Sequence, residues 1–237
     1  MPQMPVVPVP GSGAAARLRL FQLVSPALPV GAFSYSEGLE VLVQAGQLTD
    51  AASLRQWLAA ELQRGAIGVE TAALAPLVAL LPRCCAGEAQ AMAEVLDLDG
   101  WLWAQREAAE VRAQQRQMGR SLIQLLGDLG WPLPAACSAL SWPVAFAWAA
   151  HCLELASPEI EEAYLYSWVA NQISAAVRLV PLGPTEGQRL QLQLAPLLAE
   201  RAELLAGCDP RELWSGGVGA GLAQLQHAEL YTRLFRS

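Results

Sequence analysis

Glu37 and Glu40 stand three residues apart beside Ser34, Tyr35 and Ser36, so two carboxylates, two hydroxyls and a phenol share one short stretch. Such a set can accept protons, hold an ion pair or present hydrogen bonds to a partner. It lies in the segment Ser25 to Glu40, SPALPVGAFSYSEGLE, where Pro26, Pro29 and Gly31 specify an irregular backbone. Proline sets φ and glycine opens conformations closed to other residues, and loops held this way carry binding or chemistry more than packing. No histidine or lysine lies nearby to activate Ser34 or Ser36. An enzymatic reading therefore rests on Glu37 or Glu40 as general base.

Other polar groupings are ordered by helical spacing. Tyr164, Ser167, Asn171, Ser174 and Arg178 recur every three or four residues among Leu165, Val169, Ile173, Ala176 and Val177. That seam is either hydrogen-bonded within the fold or, at Arg178 near a helix end, part of a partner interface. Arg112, Arg116 and Arg120 follow at i+4 steps, where like charges repel by about 0.2–0.5 kcal/mol per pair unless acids face them. They form either an internally paired face or a dock for an acidic partner. The run Gly216 to Gly221, GGVGAG, has neither a preceding strand nor a Lys-Ser/Thr pair, so it reads as a hinge and not a nucleotide loop. His151 and His227 are the only histidines, no Cys-x-x-Cys occurs, and adjacent Cys84 and Cys85 do not suit one tetrahedral ion. No resident metal or stably bound cofactor is expected, and His151-Cys152 reads as a core pair.

Composition narrows the classes further. A net charge of −7 opposes nucleic-acid binding. All fifteen cationic side chains are arginine, which excludes a P-loop lysine, a Schiff-base lysine and a Ser-x-x-Lys nucleophile. Hydrophobic residues make up 54% and charged residues 16%, a surplus that calls for burial in a fold, a dimer or a stable complex. An odd set of five cysteines and the absence of a basic-then-apolar leader read as reduced and cytoplasmic. The longest apolar run, Ala72 to Leu81, is about half of the ~20 residues a membrane span needs, and it contains Pro76.

Abundant Ala and Leu with sparse β-branched residues predict an all-α fold, a single multi-helix bundle. Asp50 is placed to cap a helix burying Leu54, Trp57, Leu58 and Leu62, with Gly65 and Gly68 breaking it. A long helix from near Leu98 to Leu129 carries the seam Ala108, Val111, Gln115, Met118, Leu122, Leu125 and Leu129. A third starts with Ser157 as cap and Pro158 at the first position, and stops before Pro181. Residues 1–16, rich in Pro, Gly and Ala, are expected as a disordered tail, leaving 17–237 as one helical domain with a hinge near 216–221 and a mobile, partner-binding tail at 228–237.

The segment Ser25 to Glu40 resembles the N-terminal signature of the urease accessory protein UreF family. The resemblance returns at Asn171 to Gly183, NQISAAVRLVPLG, and in the ending Tyr231 to Ser237, YTRLFRS. It implies an all-helical, dimeric, cytoplasmic accessory protein, not an enzyme, that bridges a UreD/UreH-type scaffold and the UreG-type GTPase. In that role it supports GTP-dependent nickel delivery to the urease apoprotein, with nickel handled by the complex and an internal passage as one route. Carried onto this sequence, the matches assign Tyr35, Glu37, Glu40 and Arg178 to the GTPase interface. They assign Tyr231, Arg233, Phe235 and Arg236 to the UreD/UreH-type partner. Ala228, Leu230 and Thr232 depart from the family's glutamate, glutamine and serine. A small-molecule helical enzyme and a helical adaptor unrelated to nickel are the alternatives.

Overall fold

Asp50 caps the helix that follows it through a reciprocal box. Its carboxylate accepts from the Ser53 N–H at 2.8 Å, and the Ser53 hydroxyl accepts from the Asp50 N–H at 3.2 Å, worth about 1 kcal/mol. A computed structural model describes residues 13–137 and 139–237, and among them eleven α-helices and no strand occur. The helices are α1 (Gly13–Leu23), α2 (Leu39–Gln44), α3 (Ala51–Arg64), α4 (Ala66–Ala72), α5 (Leu74–Cys85), α6 (Ala89–Ala104), α7 (Ala109–Asp128), α8 (Trp142–Cys152), α9 (Glu159–Leu179), α10 (Pro184–Leu205) and α11 (Val218–His227). Residues 1–12 of the expected disordered tail lie outside the described residues. Gly13 to Ala16 form the first turn of α1.

The periodic expectations hold where packing alone decides. Leu54, Leu58 and Leu62 are buried along α3, which stops at Gly65, while Trp57 is half-buried. On α7, Val111, Gln115, Met118 and Leu122 are buried in the predicted order, whereas Leu125 is half-buried and Leu129, just past the helix end, is exposed. Three boundaries differ. Gly68 lies inside α4, where it faces Arg201 and Leu205 across ordinary contact distance. Ser157 does not cap α9; its hydroxyl donates to the Glu161 carboxylate at 2.9 Å and Pro158 takes the cap position.

The expected helix 98–129 is two helices, interrupted at 105–108 because Arg106 turns its side chain into the core. Arg112 closes the break by donating to the carbonyls of Arg106 and Glu107, both at 2.7 Å.

At the centre is α8, apolar on nearly every side, as a helix with no solvent face must be. It packs on α5 and α7, and Phe146 meets Tyr164 of α9 edge-on at 5.0 Å. Gly119 of α7 permits the approach: a Cβ there would lie 2.3 Å from the Leu140 carbonyl oxygen. His151, expected in the core beside Cys152, is exposed and stacks on Trp148. Among the described residues no single helix is long and apolar enough to cross a membrane; α4 and α5 together reach that composition but are bent by 42°.

Candidate functional site

Two buried carboxylates organise the polar interior. Glu70, a lone acid in the apolar stretch of α4, accepts from Arg106 Nε at 2.8 Å and Nη2 at 2.6 Å, from Gln115 Nε2 at 3.1 Å and from the Tyr164 hydroxyl at 2.7 Å. Burial works against the Arg106 charge, but Glu70 and Glu37 outweigh it and raise its pKa. Tyr164 is pushed well above its ordinary value, first by burial and then by Glu70, so it stays a donor.

Glu40, 4% exposed, opens α2 and accepts from the backbone N–H of Leu234 at 2.8 Å and of Phe235 at 3.1 Å. His227 Nε2 lies 3.4 Å from the same carboxylate, and its Nδ1 lies 2.7 Å from Glu110, which also holds Arg233 at 2.5 Å.

The loop between these centres is fixed by its backbone. Glu37 has φ 51, a left-handed conformation that costs a residue with a side chain on the order of 1 kcal/mol. Gln114 Nε2 at 2.7 Å and Trp168 Nε1 at 3.1 Å hold its carboxylate there. Gly38 has φ 86, and a Cβ on it would meet the Gln224 nitrogen at 2.8 Å, so α2 and α11 touch only because this position is glycine.

The three motif segments, distant in sequence, meet on one face. Ser36 donates its N–H and its hydroxyl to the Ser237 main-chain oxygen, at 2.8 and 2.6 Å, and Arg236 N–H donates to Ser34 O. Arg178 lies 4.5 Å over the Phe235 ring and donates to Phe33 O at 3.3 Å. Residues assigned to two partners therefore form a single cluster. Within it Tyr35, Glu37, Glu40 and Phe235 are buried, whereas Arg178, Arg233 and Arg236 are exposed, together with Phe33 and Leu234; Tyr231 precedes the cluster and is fully exposed.

The tail meant for a partner is thus seated on its own bundle through Phe235 and Ser237. Apolar burial of Phe235 favours that seat, as does the buried Glu40 carboxylate, which would lose two donors if the tail left. The glycine run does not stay a loop either: Gly219 and Gly221 lie inside α11, and only Gly216 and Gly217 precede it.

Reasoning from sequence missed Glu70, Arg106 and Gln114. An isolated acid inside the apolar run Ile67 to Leu74 was the available signal, because a buried charge requires a partner. The arginine series follows the internally paired reading at two positions: Arg116 donates to Asp99 at 2.5 Å, and both Arg112 and Arg116 lie over the Trp103 ring. The outer face of the series, at Arg120, is exposed.

Two cavities lie away from the polar interior, one of about 520 Å³ beside Pro76, Asp97 and Arg211 and an apolar one of about 180 Å³ beside Leu122 and Trp131; three others adjoin it. One of about 210 Å³ is lined by Glu61, Arg106, Gly217 and Gln224, one of about 10 Å³ by Glu37, Glu61 and Arg106, and one of about 30 Å³ by Tyr35, Glu37, Glu70 and Asn171. Burial raises the pKa of Glu61, with Arg106 opposing. Gln115 Oε1 and Gln172 Oε1 in the innermost space have no protein partner. The two smaller spaces suit water and not an organic substrate. Glu37 lines only those two, and Glu40 lines none of the three. Among the described residues no group of three or more His, Cys, Asp or Glu is placed to hold a metal ion.

Comparison with known proteins concerns the chain as a whole. The sequence model of the UreF family matches residues 48–195. Over 227 residues the chain is 42% identical to the urease accessory protein UreF of Thermosynechococcus vestitus, covering 94% of this chain and 98% of that protein. It is 40% identical to the UreF of Synechocystis, over 94% of this chain and 98% of the relative. Against the UreF of Alkalilimnicola ehrlichii identity is also 40%, over 94% and 96%.

Proposed function

The chain belongs to the UreF family of urease accessory proteins, and from that premise we propose that it bridges a UreD/UreH-type scaffold and a UreG-type GTPase. In this role it serves GTP-dependent delivery of nickel to the urease apoprotein. Nickel is cargo of the assembled complex, and the chain itself is neither an enzyme nor the holder of a resident cofactor. The observation that carries the reading is the convergence of the Ser25–Glu40 loop, the end of α9 and the tail on one face.

Convergence gives the assigned residues different work. Arg178, Tyr231, Arg233 and Arg236 are exposed and meet partners directly, the first toward the GTPase and the others toward the scaffold. Glu40, Tyr35 and Glu37 are buried and act by holding the loop and tail in the presented shape; Phe235 joins the two by packing under Arg178. Exposed Leu18 and Phe21 on α1, with Leu204 on α10, supply apolar surface for a homodimer.

Reconstitution tests the reading. The chain, mixed with purified UreD/UreH-type protein and UreG-type GTPase, is expected to co-elute with both. Arg178→Ala should lose the GTPase and keep the scaffold. A GTPase–scaffold complex that forms equally well without this chain would remove the bridging role.

A further inference from the structure

Three sulfur atoms from three separate elements touch one another, outside the contacts of the Glu40 cluster. Cys84 Sγ, near the end of α5, lies 3.8 Å from Cys137 Sγ, in the short 3₁₀ turn Ala135–Cys137. Met92 Sδ, in the first turns of α6, lies 3.4 Å from the former and 3.5 Å from the latter. Cys84 continues the buried stripe Leu77 and Leu81, and Cys137 is fully buried. Met92 is half-buried.

From this geometry we propose that Cys84, Cys137 and Met92 form a site for a soft, monovalent d10 cation of the Cu(I) class. A point equidistant from the three sulfurs lies about 2.1 Å from each, so an ion slightly out of their plane reaches all three at about 2.3 Å, an ordinary metal–thiolate length. The donor set also selects. Thiolate and thioether sulfur favour Cu(I) over harder ions, and three donors in a triangle do not offer the tetragonal N/O environment that suits Ni(II). A copper-class site would thus be separate from the nickel role of the family, and it does not rest on the bridging reading.

Burial, then Cys84 beside it, pushes the Cys137 thiol up to about 12. Binding therefore displaces protons: one Cu(I) and two thiols give a bis-thiolate copper with the Met92 sulfur as third donor, and two protons leave for solvent. No electron moves. The other titratable groups acting on Cys137 are Cys85 and Asp99, and Asp99 is paired with Arg116. Cys85 is exposed, one residue along α5, where an incoming ion could first be met. Three sulfurs in contact could also be plain core packing, and that reading predicts no metal capture.

The fully reduced chain, titrated anaerobically with Cu(I) presented by bicinchoninate, separates the two. The expected result is one copper withdrawn per chain, two protons released per copper, and an all-sulfur shell near 2.3 Å by X-ray absorption. Ni(II) offered in the same way should not be taken up at these residues. Cys84→Ser and Cys137→Ser should each weaken capture about a hundredfold, and Cys85→Ser and Cys208→Ser should leave it unchanged. Met92→Leu conserves volume and should fold as the parent does, so it guards against loss through unfolding. It should weaken copper about tenfold and reduce the shell to two sulfurs. Failure to withdraw copper overturns the site. So does capture that survives both cysteine variants, or unaltered affinity and sulfur count in Met92→Leu.

Discussion

Glu70 and Glu40 are both acids buried in an apolar bundle, yet their partners come from different places. The donors to Glu70 are side chains of Arg106, Gln115 and Tyr164, built into the loop before α7, into α7 and into α9. Those to Glu40 are two tail amides and His227, all contributed by the last eleven residues, 227–237. One carboxylate is sealed by the bundle and the other by the last turn of α11 and the tail that follows it. Conformational change in this chain is therefore expected at the second centre, with the first remaining fixed.

The sharpest contrast is expected from Arg106→Met, which removes the cationic partner of buried Glu70. A loss of about 3–5 kcal/mol in chemical denaturation is expected. Glu70→Gln combined with Arg106→Met should recover part of it. If the double variant is no better than the single, the charge pair is not what holds this region.

Removing residues 233–237 should cost less, about 2–4 kcal/mol, because burial of Phe235 and the donors to Glu40 are lost together. Secondary structure by circular dichroism should remain. A melting temperature equal to that of the full chain would mean that the tail contributes nothing to its own bundle, and would reverse the assignment of the second centre. Glu40→Ala is smaller again, about 1–3 kcal/mol, and its readout is local. Hydrogen exchange at Leu234 and Phe235 should accelerate while amides of α8 stay protected.

The smallest effect concerns Glu161, whose Oε2 is buried without a partner. Burial raises its pKa above the ordinary 4.5, with its own backbone N–H and Ser157 opposing. The unfolded chain releases this proton first as pH rises, so stability falls from about the unfolded value upward through the folded one. Glu161→Gln should therefore raise Tm at pH 7, and the gain should vanish below pH 4.5. A gain that is the same at both pH values would assign it to packing.

What could be read without coordinates follows the range of the interactions concerned. The Asp50–Ser53 box, the α3 stripe and the α7 seam depend on neighbours within a turn or two, and periodicity carries them. The interruption at 105–108 does not, because no glycine or proline marks it. Arg106 ends the helix by answering an acid 36 residues away. Likewise, the matched segments were visible separately, but their junction spans 194 residues between Glu40 and Leu234. Sequence spacing gave no means of telling that residues assigned to two partners share one surface.

The central helix α8 has a consequence for the order of manufacture. A stretch so uniformly apolar would be an adhesive patch if it left the ribosome before anything could cover it. Its principal cover, α5 and α7, precedes it in the chain, so the emerging segment meets a waiting groove within moments of release. Circular permutation that starts translation near 139 would reverse this order. The same residues, with the same contacts available at equilibrium, are then expected to give more aggregate and less soluble protein, measured by the soluble fraction after synthesis in a chaperone-free translation system.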